Sequence, residues 1–166
     1  MARTFRNFLL ILVGLTIAWL GIRGIYRALA SAETKIRWRI EEMVEGFNAR
    51  RAQPVLDGLA KDFVDRTSGL TRDEFHSILT WTYFNELDDK GLFLWSASFD
   101  PKELAIELAP DEQSAAVECH LLLYRRRGDE KLLDWDAHLG GKLVLGEDGW
   151  QWSVLTTANH AQRSRR

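Results

Sequence analysis

The chain has 166 residues, 46% of them hydrophobic, with seven Trp and eight Phe but only three Pro and one Cys. That suffices for one domain of roughly 100–150 residues plus an appendage. It excludes a long disordered tract and a disulfide scaffold, and Cys119 lies too far from the N-terminus to be a lipidation site there. The formal charge of −2 is uneven: residues 1–30 hold Arg3, Arg6, Arg23 and Arg27 and no acid, so 18 basic residues face 24 acidic ones in the remainder, a net of −6. A domain of that sign argues against nucleic acid as a partner, because phosphate contacts need clustered Lys and Arg. Arg125-Arg126-Arg127 and Arg163-Ser164-Arg165-Arg166 read as a solvated hairpin end and a basic disordered tail over 159–166.

Residues 8–22, FLLILVGLTIAWLGI, carry no charge, and Phe5 and Ile25-Tyr26 extend the run towards the ~20 residues a bilayer span needs. Trp19 and Tyr26 suit a membrane interface, and Arg23 and Arg27 can reach the headgroups. The expectation is a transmembrane helix within residues 1–30, inserted through residues 8–26. The rival is a cleaved signal peptide, with Ala28-Leu29-Ala30 and Ala30-Ser31-Ala32 as cleavage sites; two arginines between the run and those sites argue against it. A bacterial inner membrane is the expected address. A short basic N-terminus before one apolar run places the following domain outside, whereas Arg23, Arg27, Lys35, Arg37 and Arg39 favour a cytoplasmic one.

From Ser31 to Arg51, Ile36, Ile40, Met43, Val44 and Phe47 recur at helical spacing, and no Pro separates this helix from the anchor, so the two read as continuous. Pro54 opens a second helix through about Lys61, followed by a short extended piece at Phe63-Val64-Asp65. Thr71-Arg72-Asp73-Glu74 has the form of a capping box and starts a third helix ending near Leu87. Strands follow over 92–99 and 103–109. Three long alternating strands then span 114–157, with Gly128-Asp129 and Glu147-Asp148-Gly149 as hairpin loops. Alternation places Val117, Cys119, Leu121, Leu123, Leu133, Trp135, Ala137 and Leu139 on the core side of the sheet.

This order of elements, with Met43-Val44-Glu45-Gly46-Phe47-Asn48-Ala49-Arg50, Val55 to Phe63, Gly69-Leu70-Thr71-Arg72-Asp73-Glu74-Phe75 and Asp148-Gly149-Trp150, resembles the nuclear-transport-factor-2-like superfamily over residues 31–158. The superfamily includes SnoaL-like and ketosteroid-isomerase-like proteins, dehydratases and protein-transport adaptors. The resemblance implies an α+β cone: three helices packed on a strongly curved antiparallel sheet, with a pocket at its open end. The family's isomerases use a tyrosine on the first helix and an aspartate after the short strand. Aligned on Asn48 and Asp62, those positions fall on Met43 and Thr67, which cannot do that chemistry, and Asp65 stands two residues off.

Without a Ser-His-Asp spacing, a Gly-rich phosphate loop or a Cys-x-x-Cys, the sequence names no cofactor and no reaction. His76 and Tyr83 lie two turns apart on the third helix and, with Asp65, form the candidate acid–base set of a small-molecule isomerase, lyase or hydrolase. Met43, Phe47, Trp81, Trp95, Cys119, Trp135 and Trp152 are the candidate pocket lining, for an apolar small molecule. Asp134, Asp136, His138, His120 and Glu118 could gather as metal ligands, but alternation puts them on the outer sheet face, solvated or pairing with a second subunit as a homodimer. The leading expectation is a membrane-tethered, non-enzymatic binding or interaction module; the enzyme is the alternative.

Overall fold

Ser31 starts the first helix that lies wholly within the described residues. Its backbone is extended (ψ 157°) and its hydroxyl accepts from the Thr34 N–H, an N-cap that starts helix α1 at Ala32 and carries it to Asn48. The computed structural model describes residues 29–159. The anchor expected over 1–30 and the tail beyond Asn159 lie outside the described residues, and among those described no helix is long and apolar enough to cross a membrane. The extended Ser31 also interrupts the continuous helix that the absence of proline suggested.

Helix α2 is shorter than its sequence pattern indicated, Ala52–Asp57. The chain turns at Gly58 into strand β1, Leu59–Asp65. The buried residues Leu59, Ala60 and Phe63 are spaced as on a helix face. They belong instead to a strand whose register slips between Leu59 and Val64. Helix α3, Arg72–Asn85, opens with the expected box: Thr71 Oγ1 accepts from the Glu74 N–H, and the Glu74 carboxylate accepts from the Thr71 N–H at 2.8 Å. The Thr71 N–H and the Thr71 hydroxyl, both donating to that carboxylate, hold the Glu74 carboxyl below its ordinary pKa. Thr71→Ala is expected to cost about 1 kcal/mol, read as a lower urea midpoint.

Strands β2 (Trp95–Phe99), β3 (Ala105–Leu108), β4 (Ser114–Arg127), β5 (Glu130–Gly146) and β6 (Gly149–Asn159) complete one six-stranded sheet. Its order is β1-β6-β5-β4-β2, with β3 also paired to β4. The sheet is mixed rather than wholly antiparallel, because β1 runs parallel to β6. Two-residue loops join the long strands at Gly128-Asp129 and Glu147-Asp148. Gly128 (φ +64°) and Gly149 (φ +95°) supply the left-handed backbone those turns require.

Bulges bend the long strands and reset their faces. Leu123 pairs with Trp135 but Tyr124 pairs with Leu133, so Asp134 is the extra residue. Leu133 is thereby rotated away from the core side that alternation assigned it and is 52% exposed. The helices cover the other face: Ile36 and Ile40 of α1 and Leu56 of α2 pack with Phe63, Val117, Cys119, Leu143, Trp150 and Trp152. A second cluster, Val55, Leu79 and Tyr83 with Phe47 and Phe93, fills the space between α1, α2 and α3.

Candidate functional site

The buried face of α3 runs through Phe75, Leu79 and Tyr83, four residues apart. Tyr83 is 5% exposed, and its ring packs against Phe93 (centroids 5.4 Å apart) and Phe47 (6.0 Å). Its hydroxyl has no hydrogen-bond partner. Burial pushes its pKa up to about 12, against a smaller opposing pull from the Arg50 guanidinium. His76 lies off that face and is exposed, so the structure does not bring it to Tyr83 in one cavity. Asp65 is occupied locally: its carboxylate accepts from the Thr67 N–H at 3.0 Å and from the Ser68 hydroxyl, holding the turn after β1. The three acid–base candidates therefore occupy a solvent-facing surface, an aromatic cluster and a turn.

The isomerase-equivalent positions are structural too. Met43 packs against both core clusters. Thr67 joins β1 to β6, its hydroxyl donating to the Thr157 carbonyl at 3.2 Å and accepting from the Thr157 N–H at 2.7 Å.

The candidate pocket residues divide in the same way. Cys119 and Trp152 are core residues, and burial pushes the Cys119 thiol up to about 11, away from thiolate reactivity. Phe47 closes the Tyr83 cluster, and Trp135 is half-buried on the sheet. Trp81 is 58% exposed on the outer face of α3, so it lines no interior pocket. Trp95 reaches an opening, a cleft of about 320 Å³ beside the β4–β5 hairpin, lined by Asn48, Leu92, Phe93, Leu94, Ser96, Arg126 and Lys131 as well. Trp95 is fixed there: its indole N–H donates to Glu86 at 3.1 Å, and Arg125, ion-paired to the same carboxylate at 2.7 Å, lies 5.2 Å over its ring. Asn48 holds the adjacent strand edge, donating to the Ala97 carbonyl (2.9 Å) and accepting from its N–H (2.7 Å).

On the opposite sheet face, His120 and His138 stand directly across from each other on β4 and β5. The two polar sets do coincide in space, but as separate histidine–carboxylate contacts. His120 Nδ1 lies 3.3 Å from Glu103, its Nε2 contacts Asp136, and His138 lies 3.5 Å from Glu118. Asp134 falls at the bulge. Among the described residues no group of three or more His, Cys, Asp or Glu could hold a metal ion.

With a carboxylate at each ring nitrogen, His120 is best satisfied as the imidazolium. The Asp136 hydrogen bond is the main cause that raises its pKa above 6.5, with the Asp136 charge and Glu103 adding and burial opposing. A raised folded-state pKa stabilises the fold fully below the unfolded value of 6.5, and the contribution is lost as pH rises through the folded value. The stability difference between the wild type and His120→Gln is therefore expected to be largest below pH 6.5 and to shrink as pH rises above it, measured by urea denaturation across pH. The site is partly exposed, so the effect is small and salt-sensitive.

No protein-family profile matches the chain, and no curated protein matches it. Solved structures do resemble it. An NTF2-like protein with a cystatin-like fold from Novosphingobium aromaticivorans superposes with a TM-score of 0.66 at 13% identity, covering 86% of this chain and 90% of its own. A candidate scytalone dehydratase from the same organism gives 0.57 at 14%, covering 90% and 91%. ActVI-ORFA from Streptomyces coelicolor gives 0.59 at 15%, covering 76% and 96%. At these identities the likeness establishes the fold, an α+β cone of the nuclear-transport-factor-2-like kind.

Proposed function

We propose, with the nuclear-transport-factor-2-like fold as premise, that this chain is a non-enzymatic binding or protein-interaction module held at a bacterial inner membrane by residues 8–26. The observation that carries the non-enzymatic reading is the separation of His76, Tyr83 and Asp65. General acid–base catalysis needs such groups within hydrogen-bond reach of one reacting centre, and these three serve different local structures. The interaction reading is supported by Ile78, Trp81 and Phe84, which are 48%, 58% and 74% exposed along α3, a run of large apolar side chains of the kind that marks binding surfaces. The outer sheet face, with exposed Leu133 beside the histidine pairs, is the proposed homodimer surface. Tethering concentrates either surface near membrane partners.

The enzyme alternative draws on one feature, the unpartnered Tyr83 hydroxyl, which could donate to a substrate oxygen. Tyr83→Phe separates the readings. An orphan buried hydroxyl is a cost, so its removal is expected to stabilise the fold by about 1 kcal/mol. Native mass spectrometry of the full-length protein, extracted from its own membrane, gives the second readout. A partner or dimer mass retained in both the wild type and Tyr83→Phe supports the module. A small-molecule mass present in the wild type and lost in Tyr83→Phe overturns it in favour of the enzyme. Failure of the chain to stay with membranes after alkaline extraction would remove the tether and leave the module reading in place.

A further inference from the structure

The Arg125-Arg126-Arg127 run resolves into three different environments. Arg125 is ion-paired to Glu86 and Arg127 stands opposite Glu130 across the hairpin, but Arg126 stands directly opposite Lys131. Like charges facing each other across a ladder destabilise it. Among the described residues no carboxylate lies within 4 Å of either cation. Of the acids near this hairpin, Glu86 accepts from Arg125 and Trp95, and Asp88 accepts from the N–H groups of Lys90 and Leu92 at 2.8 Å each, its charge attracting Arg126 only from beyond ion-pair distance. Both cations line the 320 Å³ cleft, whose remaining wall joins the apolar Leu92, Phe93, Leu94 and Trp95 to the polar Asn48 and Ser96.

We infer that this cleft binds a small organic carboxylate with a flat apolar body, the carboxylate bridging Arg126 and Lys131 and the body lying against Leu92 and Leu94. The planar Arg fork matches a carboxylate in two hydrogen bonds, and the Lys adds a point charge beside it. The volume is at the low end for ligand sites, which limits the body to about one aromatic ring. The fixed Trp95 and the Asn48–Ala97 hydrogen bonds hold this strand edge open before any ligand arrives. The inference deepens the binding-module reading and rests on it for biological meaning, while its own test stands apart.

The test is a fluorine NMR titration of 4-fluorophenylacetate against the full-length chain in nanodiscs of zwitterionic lipid, with lipid-only discs as blank. The wild type is expected to bind saturably with a Kd below about 1 mM, weakening as salt rises. Arg126→Gln and Lys131→Gln are each expected to weaken binding tenfold or more, and Arg127→Gln to leave it unchanged. Absence of saturable binding, or equal binding in all the variants, would overturn the site. A partner mass in the native spectra alongside such a result would leave the module reading intact without this ligand.

Discussion

Phe63→Ala is expected to lower stability by roughly 3–5 kcal/mol, read as a fall in the urea midpoint at nearly constant slope. Phe63 is 2% exposed, the largest of the fully enclosed side chains, and joins strand β1 to the helices above it. Its ring meets that of Phe75 edge-on at 6.3 Å. Truncation removes the transfer free energy of a whole ring and leaves a cavity bounded by a sheet and two helices that cannot collapse into it. A domain of this size has a total stability of about 5–15 kcal/mol, so the variant approaches the unfolding threshold at growth temperature. The adjacent residue is the control. Val64 points the other way and is 38% exposed, so Val64→Ala should cost under about 1 kcal/mol. Equal losses at the two positions would mean that β1 does not hold this register.

The pair also shows what a reader of the sequence can and cannot see. The order of helices and long strands was legible because each carries a distinct period: Ile36 and Ile40 on α1, Phe75 and Leu79 on α3, and alternation through Val117 and Cys119 on β4. The Thr71–Glu74 box was legible because its chemistry is local. Of strand β1 only the end, Phe63-Val64-Asp65, was legible, since an irregular register gives Leu59, Ala60 and Phe63 the spacing of a helix. Leu133 was misplaced because the inserted residue at Asp134 puts it out of phase with Trp135, Ala137 and Leu139, while the alternation in the sequence still looks unbroken. The parallel pairing of β1 with β6 is a long-range choice that neither segment records.

The candidate site was less legible still. His76 and Tyr83, seven residues apart, share a face on an ideal helical wheel, yet the burial stripe on α3 drifts through Phe75 and Leu79 so that only Tyr83 is enclosed. An aromatic count could not separate Trp152, a core residue, from Trp81, a surface one. The Arg126–Lys131 juxtaposition depends on the hairpin register, although the two-residue Gly128-Asp129 loop was a signal that would have fixed it: counting outward from that loop pairs Arg127 with Glu130 and Arg126 with Lys131.

Gly141→Ala is expected to cost on the order of 3 kcal/mol and to abolish folding if the sheet cannot shift. A Cβ built on Gly141 would lie 2.1 Å from the Val154 carbonyl oxygen and 3.1 Å from the Leu155 Cα, both backbone atoms of the neighbouring strand. The close approach follows from the bulge on β6, where Lys142 pairs with Val154 but Leu143 pairs with Trp152. A flexible side chain could swing aside, but a sheet backbone cannot without giving up its ladder hydrogen bonds. Gly140 beside it supplies the comparison, since a Cβ there would meet only the Glu118 Cγ, at an ordinary 3.8 Å. Gly140→Ala should therefore stay within about 0.5 kcal/mol of the wild type, with a small gain from stiffening the unfolded chain. Paired urea denaturation of the two variants measures the difference between them. A similar, mild effect at both positions would mean that β5 and β6 separate more than the bulged register allows. A large loss at Gly141 alone would locate the bend of the cone at this bulge, because it would show that the two backbones meet there with no room for a single methyl group.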